Sequence, residues 1–320
     1  MNLDEKTMRD VFIEELYKRM HEDKNIFFVC ADFGSPKLDK LRQDFGKRFV
    51  NVGIAEQNLI NVSTGLALEG FTVYAYAIAP FLTMRPYEQI RVNLSLLSQI
   101  KEINVNLVGV GAGLSYDVSG PTHHCLEDII IMRALPNLVV FSPSDWVLAR
   151  EFVDYSIKLK KPKYIRLDGK PLPCIYHDTD DINPDRGFSE LRRGKKVCLV
   201  STGYMTQKAL RVAELLSRAG AEIGIIDVYM IKPLREDILF SALKKYEALV
   251  TLEEGFINKG GLDSLIASIL GNENSSIRLN RLGFGDAYVF NIGGREYLYG
   301  LNKLDDKSIA DYLGQVLSKN

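Results

Sequence analysis

Short apolar runs alternate with longer stretches of helical period along most of this chain, and that alternation dictates a parallel sheet covered on both faces by helices. Residues 26–30, Ile-Phe-Phe-Val-Cys, form a continuous apolar run, as a strand buried on both faces requires. A helical stripe follows through Leu59, Val62 and Leu66. Strand patterns then recur at 71–77, 105–110, 138–141 and 163–167. Helical patterns lie between them at 81–97, despite Pro86, and at 129–135. Ser142-Pro143-Ser144-Asp145 is a helix-start cluster.

A composition shift interrupts the series. Residues 168–195 hold Pro171, Pro173 and Pro184, the acidic run 178–181, and basic Arg192 and Arg193. This reads as a linker with a short extended segment. Strand and helix patterns resume at 196–202, 207–219, 223–228, 237–244 and 248–252. Gly260-Gly261 opens a helix over 262–270, and a last strand (277–282) and helix (307–317) follow. The expected fold is therefore α/β, with two parallel-sheet domains: residues 1–170, a linker at 171–194, and a smaller domain at 195–320. The 320 residues are enough for two ordinary cores.

Bulk properties exclude several classes. A hydrophobic fraction of 46% argues against disorder. A net charge of −1 provides no general attraction to nucleic acid or to an anionic membrane. No apolar run approaches the ~20 residues that span a bilayer. The N-terminus is charged and then amphipathic, without a signal-peptide core. Cys30, Cys125, Cys174 and Cys198 are far apart and lack metal-ligand spacing, so neither a metal site nor a disulfide framework is expected. A cytoplasmic location fits.

In open α/β sheets, chemistry collects at the carboxyl ends of strands. Three segments fall there: 51–56, 78–87 and 111–124. The first carries Glu56 in Asn51-Val52-Gly53-Ile54-Ala55-Glu56-Gln57-Asn58, the second Phe81, Met84 and Tyr87 at helical spacing, and the third His123 and His124 after Gly120-Pro121-Thr122. Each has an ordinary reading. A glutamate in the first turn of a helix favours the helix dipole. An apolar triplet at i, i+3 and i+6 is a core stripe. A lone histidine is commonly a structural donor. An acid, an aromatic cluster and a histidine pair on one rim weigh against all three readings together.

These segments, in this order, resemble the pyrimidine-binding domain of transketolase-like thiamine diphosphate enzymes. Asn51 through Gln57 resembles the family's glutamate motif, Phe81 through Gln89 its aromatic segment, and Gly120-Pro121-Thr122-His123 its glycine-proline-threonine-histidine motif. Ser142 through Asp145 is similar to 1-deoxyxylulose-5-phosphate synthases. Ser201-Thr202-Gly203, Asp227 through Lys232-Pro233-Leu234, Thr251 through Gly255, and Gly260-Gly261 resemble the family's C-terminal domain. The family's Gly-Asp-Gly motif and following Asn, which hold Mg²⁺ and the diphosphate, have no counterpart; Gly283-Phe284-Gly285-Asp286 comes too late and in the wrong order. The resemblance thus implies the C-terminal subunit of a split transketolase. A separate N-terminal subunit would carry the motif, and the chain would associate into a dimer or an α2β2 assembly.

The resemblance implies roles as well. Glu56 would hydrogen-bond a pyrimidine nitrogen in a dry pocket lined by Ile54 and Phe81, where desolvation raises its pKa. Phe81, ranked first, with Met84 and Tyr87, would seat the flat ring. His123 would meet the sugar and shuttle protons. The role of His124, where relatives commonly have glutamine, stays open. Ser119 stands where relatives have an aspartate for the donor hydroxyl, with Asp117 two residues earlier. Arg166 is a candidate for substrate phosphate, or is off by two, with Asp168-Gly169-Lys170 following. Glu253-Glu254-Gly255 and Gly260-Gly261 read as tight turns and subunit contacts. The expected activity is ketol transfer between a ketose and an aldose. Alternatives are a 1-deoxyxylulose-5-phosphate synthase-like enzyme, a 2-oxo acid dehydrogenase β-subunit (which would carry Gly-Gly-Pro-x-His), or a non-catalytic scaffold subunit.

Overall fold

The computed structural model describes residues 5–177 and 182–319. The acidic run 178–181 and the first four residues of the N-terminal segment lie outside them. Elements of the first half are β1 (Lys6–Thr7), α1 (Met8–Glu22), β2 (Ile26–Cys30), α2 (Pro36–Phe45), β3 (Phe49–Asn51), α3 (Glu56–Leu68), β4 (Thr72–Ile78), α4 (Ala79–Met84), α5 (Tyr87–Gln89), β5 (Val105–Val110), α6 (Asp128–Ala134), β6 (Val139–Phe141), α7 (Trp146–Lys158), β7 (Lys163–Leu167) and β8 (Pro171–Leu172). The second half holds β9 (Phe188–Arg192), β10 (Val197–Ser201), α8 (Tyr204–Arg218), β11 (Gly224–Val228), β12 (Met230–Lys232), α9 (Glu236–Leu243), β13 (Ala248–Phe256), α10 (Leu262–Asn272), β14 (Arg278–Phe284), α11 (Arg295–Leu301) and α12 (Asp306–Ser318).

The first sheet runs β12-β6-β7-β5-β4-β2-β3, with every pairing parallel except β12 on β6. All six residues of β5 are buried, as in a strand covered on both faces; its one polar residue, Asn106, donates to Val73 O at 3.3 Å. Successive side chains go to opposite faces. Val73, Ala75 and Leu107 pack under α3 and α4, whereas Tyr74, Tyr76 and Val108 pack under α1 and α7. The second sheet runs β14-β13-β10-β11-β9, parallel except for β9.

Two features tie the halves together. β12 leaves the second half to pair with β6, Met230 opposite Phe141. The stretch read as a linker carries β8, paired with β1, and β9, which edges the second sheet. Asp145 caps α7 by accepting from Leu148 N at 2.8 Å, so the helix start lies where the cluster predicts it.

Asp227, at the end of β11, is buried among hydroxyls from three segments: Ser144 at 2.5 Å, Thr206 at 2.7 Å and Tyr176 at 2.8 Å. Burial pushes its pKa up to about 7, although those donors pull the other way. An unfolded aspartate titrates near ~3.9. Between those values the folded chain keeps a proton that the unfolded chain has lost, so stability falls as pH rises towards 7 and then levels off. Glu253, also pushed up to about 7 by burial, adds a slope of the same sign. Asp227→Asn is expected to flatten, without abolishing, the decline in melting temperature across that window. Thermal unfolding at stepped pH checks it.

Candidate active site

The carboxyl ends of β3, β4 and β5 share one rim, because β4 pairs with both β5 and β2, and β2 with β3. Each end delivers one expected segment. Glu56 opens α3 after Gly53, whose positive φ of 76° lets the chain turn from strand to helix. Its residue is 6% exposed. The carboxyl lies at an open depression of about 600 Å³ lined by Ile54, Ala55, Glu56, Gln57, Asn58 and Arg85.

Five side chains form a connected line at this rim. Arg85 Nη1 donates to Glu56 Oε1 at 2.6 Å. The same guanidinium lies 3.9 Å from the centroid of the Phe81 ring. Phe81 in turn meets the His123 ring edge to face, centroids 5.1 Å apart at 69°. His123 Nδ1 lies 3.0 Å from the Thr122 hydroxyl. The rim thus brings together Glu56, Phe81 and His123, with Arg85 joining the first two.

Several expectations change. Ile54 is 77% exposed, so it does not help to dry a closed pocket around Glu56; the depression is open on that side and a cation reaches the carboxyl. The helix expected over 81–97 breaks at Arg85-Pro86 and resumes as α5 and a π-helical stretch, Ile90–Leu96. Proline has no N–H to continue the ladder. Met84, on α4 ahead of the break, lines a neighbouring depression with Pro121, His124, Tyr288 and Phe290. Tyr87 packs against the core and donates its hydroxyl to Ile131 O at 3.0 Å, a structural bond. His123 and His124 lie on a turn, both N–H groups donating back to Gly120 O, ahead of α6, which begins at Asp128.

The loop after β5 is clamped by the second half. Asp117 is buried and its carboxyl accepts from Lys170 Nζ, Arg295 N (2.6 Å) and Val118 N (2.9 Å), so it is not free for a sugar hydroxyl. Ser119 is exposed two residues on. His124 is buried, with Nε2 3.3 Å from Asp117 O and Nδ1 without a hydrogen-bond partner among the described residues. Arg166 is 3% exposed; it donates to Asp128 at 2.7 Å and to the carbonyls of Cys125 and Glu254. Nε and Nη2 are committed to these contacts and the side chain is enclosed, so Arg166 does not reach the open rim. Glu253 and Glu254 lie inside β13, not in a turn. Glu253 accepts from Leu262 N and Asp263 N at the start of α10, while Glu254 accepts from Leu114 N at 2.7 Å. A Cβ at Gly113 would fall on the Glu254 carboxyl, so only glycine permits this approach.

Residues 4–173 match the transketolase pyrimidine-binding domain and residues 188–302 the transketolase C-terminal domain. The chain belongs to the transketolase family. It is 34% identical over 305 residues to an apulose-4-phosphate transketolase subunit of Actinobacillus succinogenes, covering 95% of this chain and 96% of that one. It is 30% identical to the 6-deoxy-6-sulfo-D-fructose transketolase subunit SqwH of a Clostridium species, covering 93% and 90%. A solved split-gene transketolase, described as an inactive beta4 tetramer, superposes with a TM-score of 0.86 at 30% identity over 98% of both chains. By contrast, the chain spans only 44% of the 1-deoxy-D-xylulose-5-phosphate synthase of Gloeothece citriformis. This is a subunit of a split transketolase, an enzyme of ketol transfer.

For a transketolase, the cofactor to test against the site is thiamine diphosphate. The pyrimidine end fits: a buried carboxyl at an open rim stands beside an aromatic face that already carries a flat cation. Among the described residues no group of three or more His, Cys, Asp or Glu is placed to hold a metal, and no helix is long and apolar enough to cross a membrane. Two features of this subunit escaped the motif reading. Arg85 lies four residues after Phe81, a helical spacing that puts a cation over the ring, and this was legible. Arg295, which clamps the His123 loop from α11, carries no local signal.

Proposed function

We propose that this chain supplies the pyrimidine-binding half of a thiamine diphosphate-dependent transketolase site, and that a separately encoded N-terminal subunit with a Gly-Asp-Gly motif holds Mg²⁺ and the diphosphate. The observation that carries this reading is the buried Glu56 carboxyl at a depression with one open side. When bound, thiamine diphosphate supplies the carbon nucleophile that carries the two-carbon unit. Glu56 would hydrogen-bond the pyrimidine nitrogen, and Phe81 would offer an aromatic face to the ring. His123, its ring fixed by Phe81 and Thr122, donates hydrogen bonds to the sugar oxygens and moves protons there.

The donor is a ketose with an anionic far end. Apulose 4-phosphate and 6-deoxy-6-sulfo-D-fructose, named for two relatives, both carry one. With Arg166 enclosed, the half-exposed Lys170 is the remaining cation of the loop after β7, and it pairs with Asp117 on the His123 loop. It also lines a depression of about 390 Å³ with Tyr204 and Tyr297. The split-gene relative described as an inactive beta4 tetramer supports self-association of this chain when alone; with its partner, a dimer or an α2β2 assembly is expected.

The test is reconstitution with the partner subunit, followed by a ketose screen. Ketol transfer is expected from the mixture and from neither chain alone. Lys170→Met is expected to raise KM for a phosphorylated donor about tenfold, the loss of one charge-assisted contact, with kcat little changed. Transfer by this chain alone, or none from the mixture, counts against the assignment.

A further inference from the structure

We propose that Arg85 is a gate on the pyrimidine seat: its guanidinium occupies the place of the cofactor ring and must swing out before the ring enters. The inference rests on the reading of Glu56 and Phe81 given above. A guanidinium and an aminopyrimidine ring in contact with an acid share three properties: each is planar, each offers an N–H to a carboxyl oxygen, and each lies flat on an aromatic face. Arg85 meets all three demands with this chain's own atoms. It donates to Glu56 Oε1 at 2.6 Å and covers Phe81 at 3.9 Å. With only 6% of Glu56 open, a second flat donor reaches that oxygen only after the first has left.

The gate is built to open. The Arg85 side chain is 47% exposed, at the break between α4 and α5. Only the Arg85 side of the pair is exposed; the departing guanidinium is solvated at once, and the incoming ring's N–H takes its place on Glu56, so the exchange strands no buried charge. The expelled side chain returns to solvent without leaving a cavity in the core. The subunit without its partner therefore keeps the seat closed with its own cation, and the combined grip of pyrimidine contacts here and diphosphate contacts on the partner opens it. Arg85 is thus a residue that sets the affinity for the cofactor, without a part in the chemistry.

The experiment is calorimetric titration of thiamine diphosphate with Mg²⁺ into the reconstituted pair carrying wild-type Arg85, Arg85→Met or Arg85→Lys. Methionine keeps a stem of similar reach and removes both the charge and the donors. Arg85→Met is expected to bind about tenfold more tightly, or about 1.4 kcal/mol. Arg85→Lys, which keeps the charge but loses the plane, falls between. Wild type and Arg85→Lys are expected to melt together before mixing, Arg85→Met somewhat lower because Glu56 loses its cation, and unchanged circular dichroism and assembly of all three separate a gate from a fold defect. Equal or weaker binding by Arg85→Met overturns the gate while leaving the Glu56 assignment standing. If no pair binds thiamine diphosphate at all, the functional reading fails and the gate fails with it.

Discussion

Glu56→Gln is expected to leave the chain folded and able to assemble with its partner while ketol transfer falls by about 10²–10⁴, the range for loss of a positioned acid–base group. Glutamine has the same shape, and its carbonyl oxygen can still accept from Arg85. What it lacks is a carboxyl that can hold a proton against the pyrimidine nitrogen. The ordinary alternative for an acid in the first turn of α3 is a dipole contact, worth about 0.3–1 kcal/mol of stability and nothing in turnover. The two accounts thus differ by orders of magnitude in rate. Steady-state kinetics on the reconstituted pair, with sedimentation to establish assembly, distinguish them. Turnover within a few-fold of wild type assigns Glu56 to the dipole alone.

The second large effect lies away from the rim. Arg295 is buried between Asp168 of the first half, at 2.6 Å, and Glu254 of the second, at 2.7 Å. Its guanidinium also lies 3.7 Å from the centroid of the Tyr204 ring, and its backbone N–H holds Asp117. Arg295→Met leaves two carboxylates enclosed without their cation. Removing one partner of a buried pair costs about 3–5 kcal/mol, because the remaining charge stays desolvated. The expected outcome is a drop of that size in the urea unfolding midpoint when converted through the slope. Neutralising Glu254 as well, in Arg295→Met/Glu254→Gln, is expected to recover part of the loss, since one stranded charge is then gone. An additive or worse double variant contradicts the clamp.

How much of this was legible depends on where the signal lies. Ile26–Cys30 was readable as a strand because burial leaves an uninterrupted apolar run, and Val105–Val110 and Lys163–Leu167 because short β-branched or aromatic runs recur between helical patterns, although Asn106, Lys163 and Arg166 interrupt them. The three-residue β12 has no period to read, and it pairs with a strand far back in the chain. At the rim, Glu56, Phe81 and His123 could be named because each follows the end of a parallel strand, where the topology gathers side chains. Tyr87 falls after a break at Pro86, which was in view, and turns to the core, whereas Met84 stays on α4 with Phe81 and lines the depression beside His124. The burial of Arg166 was invisible: nothing local says that Asp128 and the carbonyls of Cys125 and Glu254 surround it. The same holds for Glu254, which reads as a turn residue beside a glycine and proves to be the acid that clamps Leu114.

The half-site claim is tested most directly by titrating thiamine diphosphate with Mg²⁺ into this chain alone, into the partner alone and into their mixture. Strong heat of binding is expected only from the mixture, because the proposed function places the pyrimidine seat and the diphosphate anchor on different polypeptides. Tight, Mg²⁺-dependent binding by this chain in the absence of any partner would contradict it.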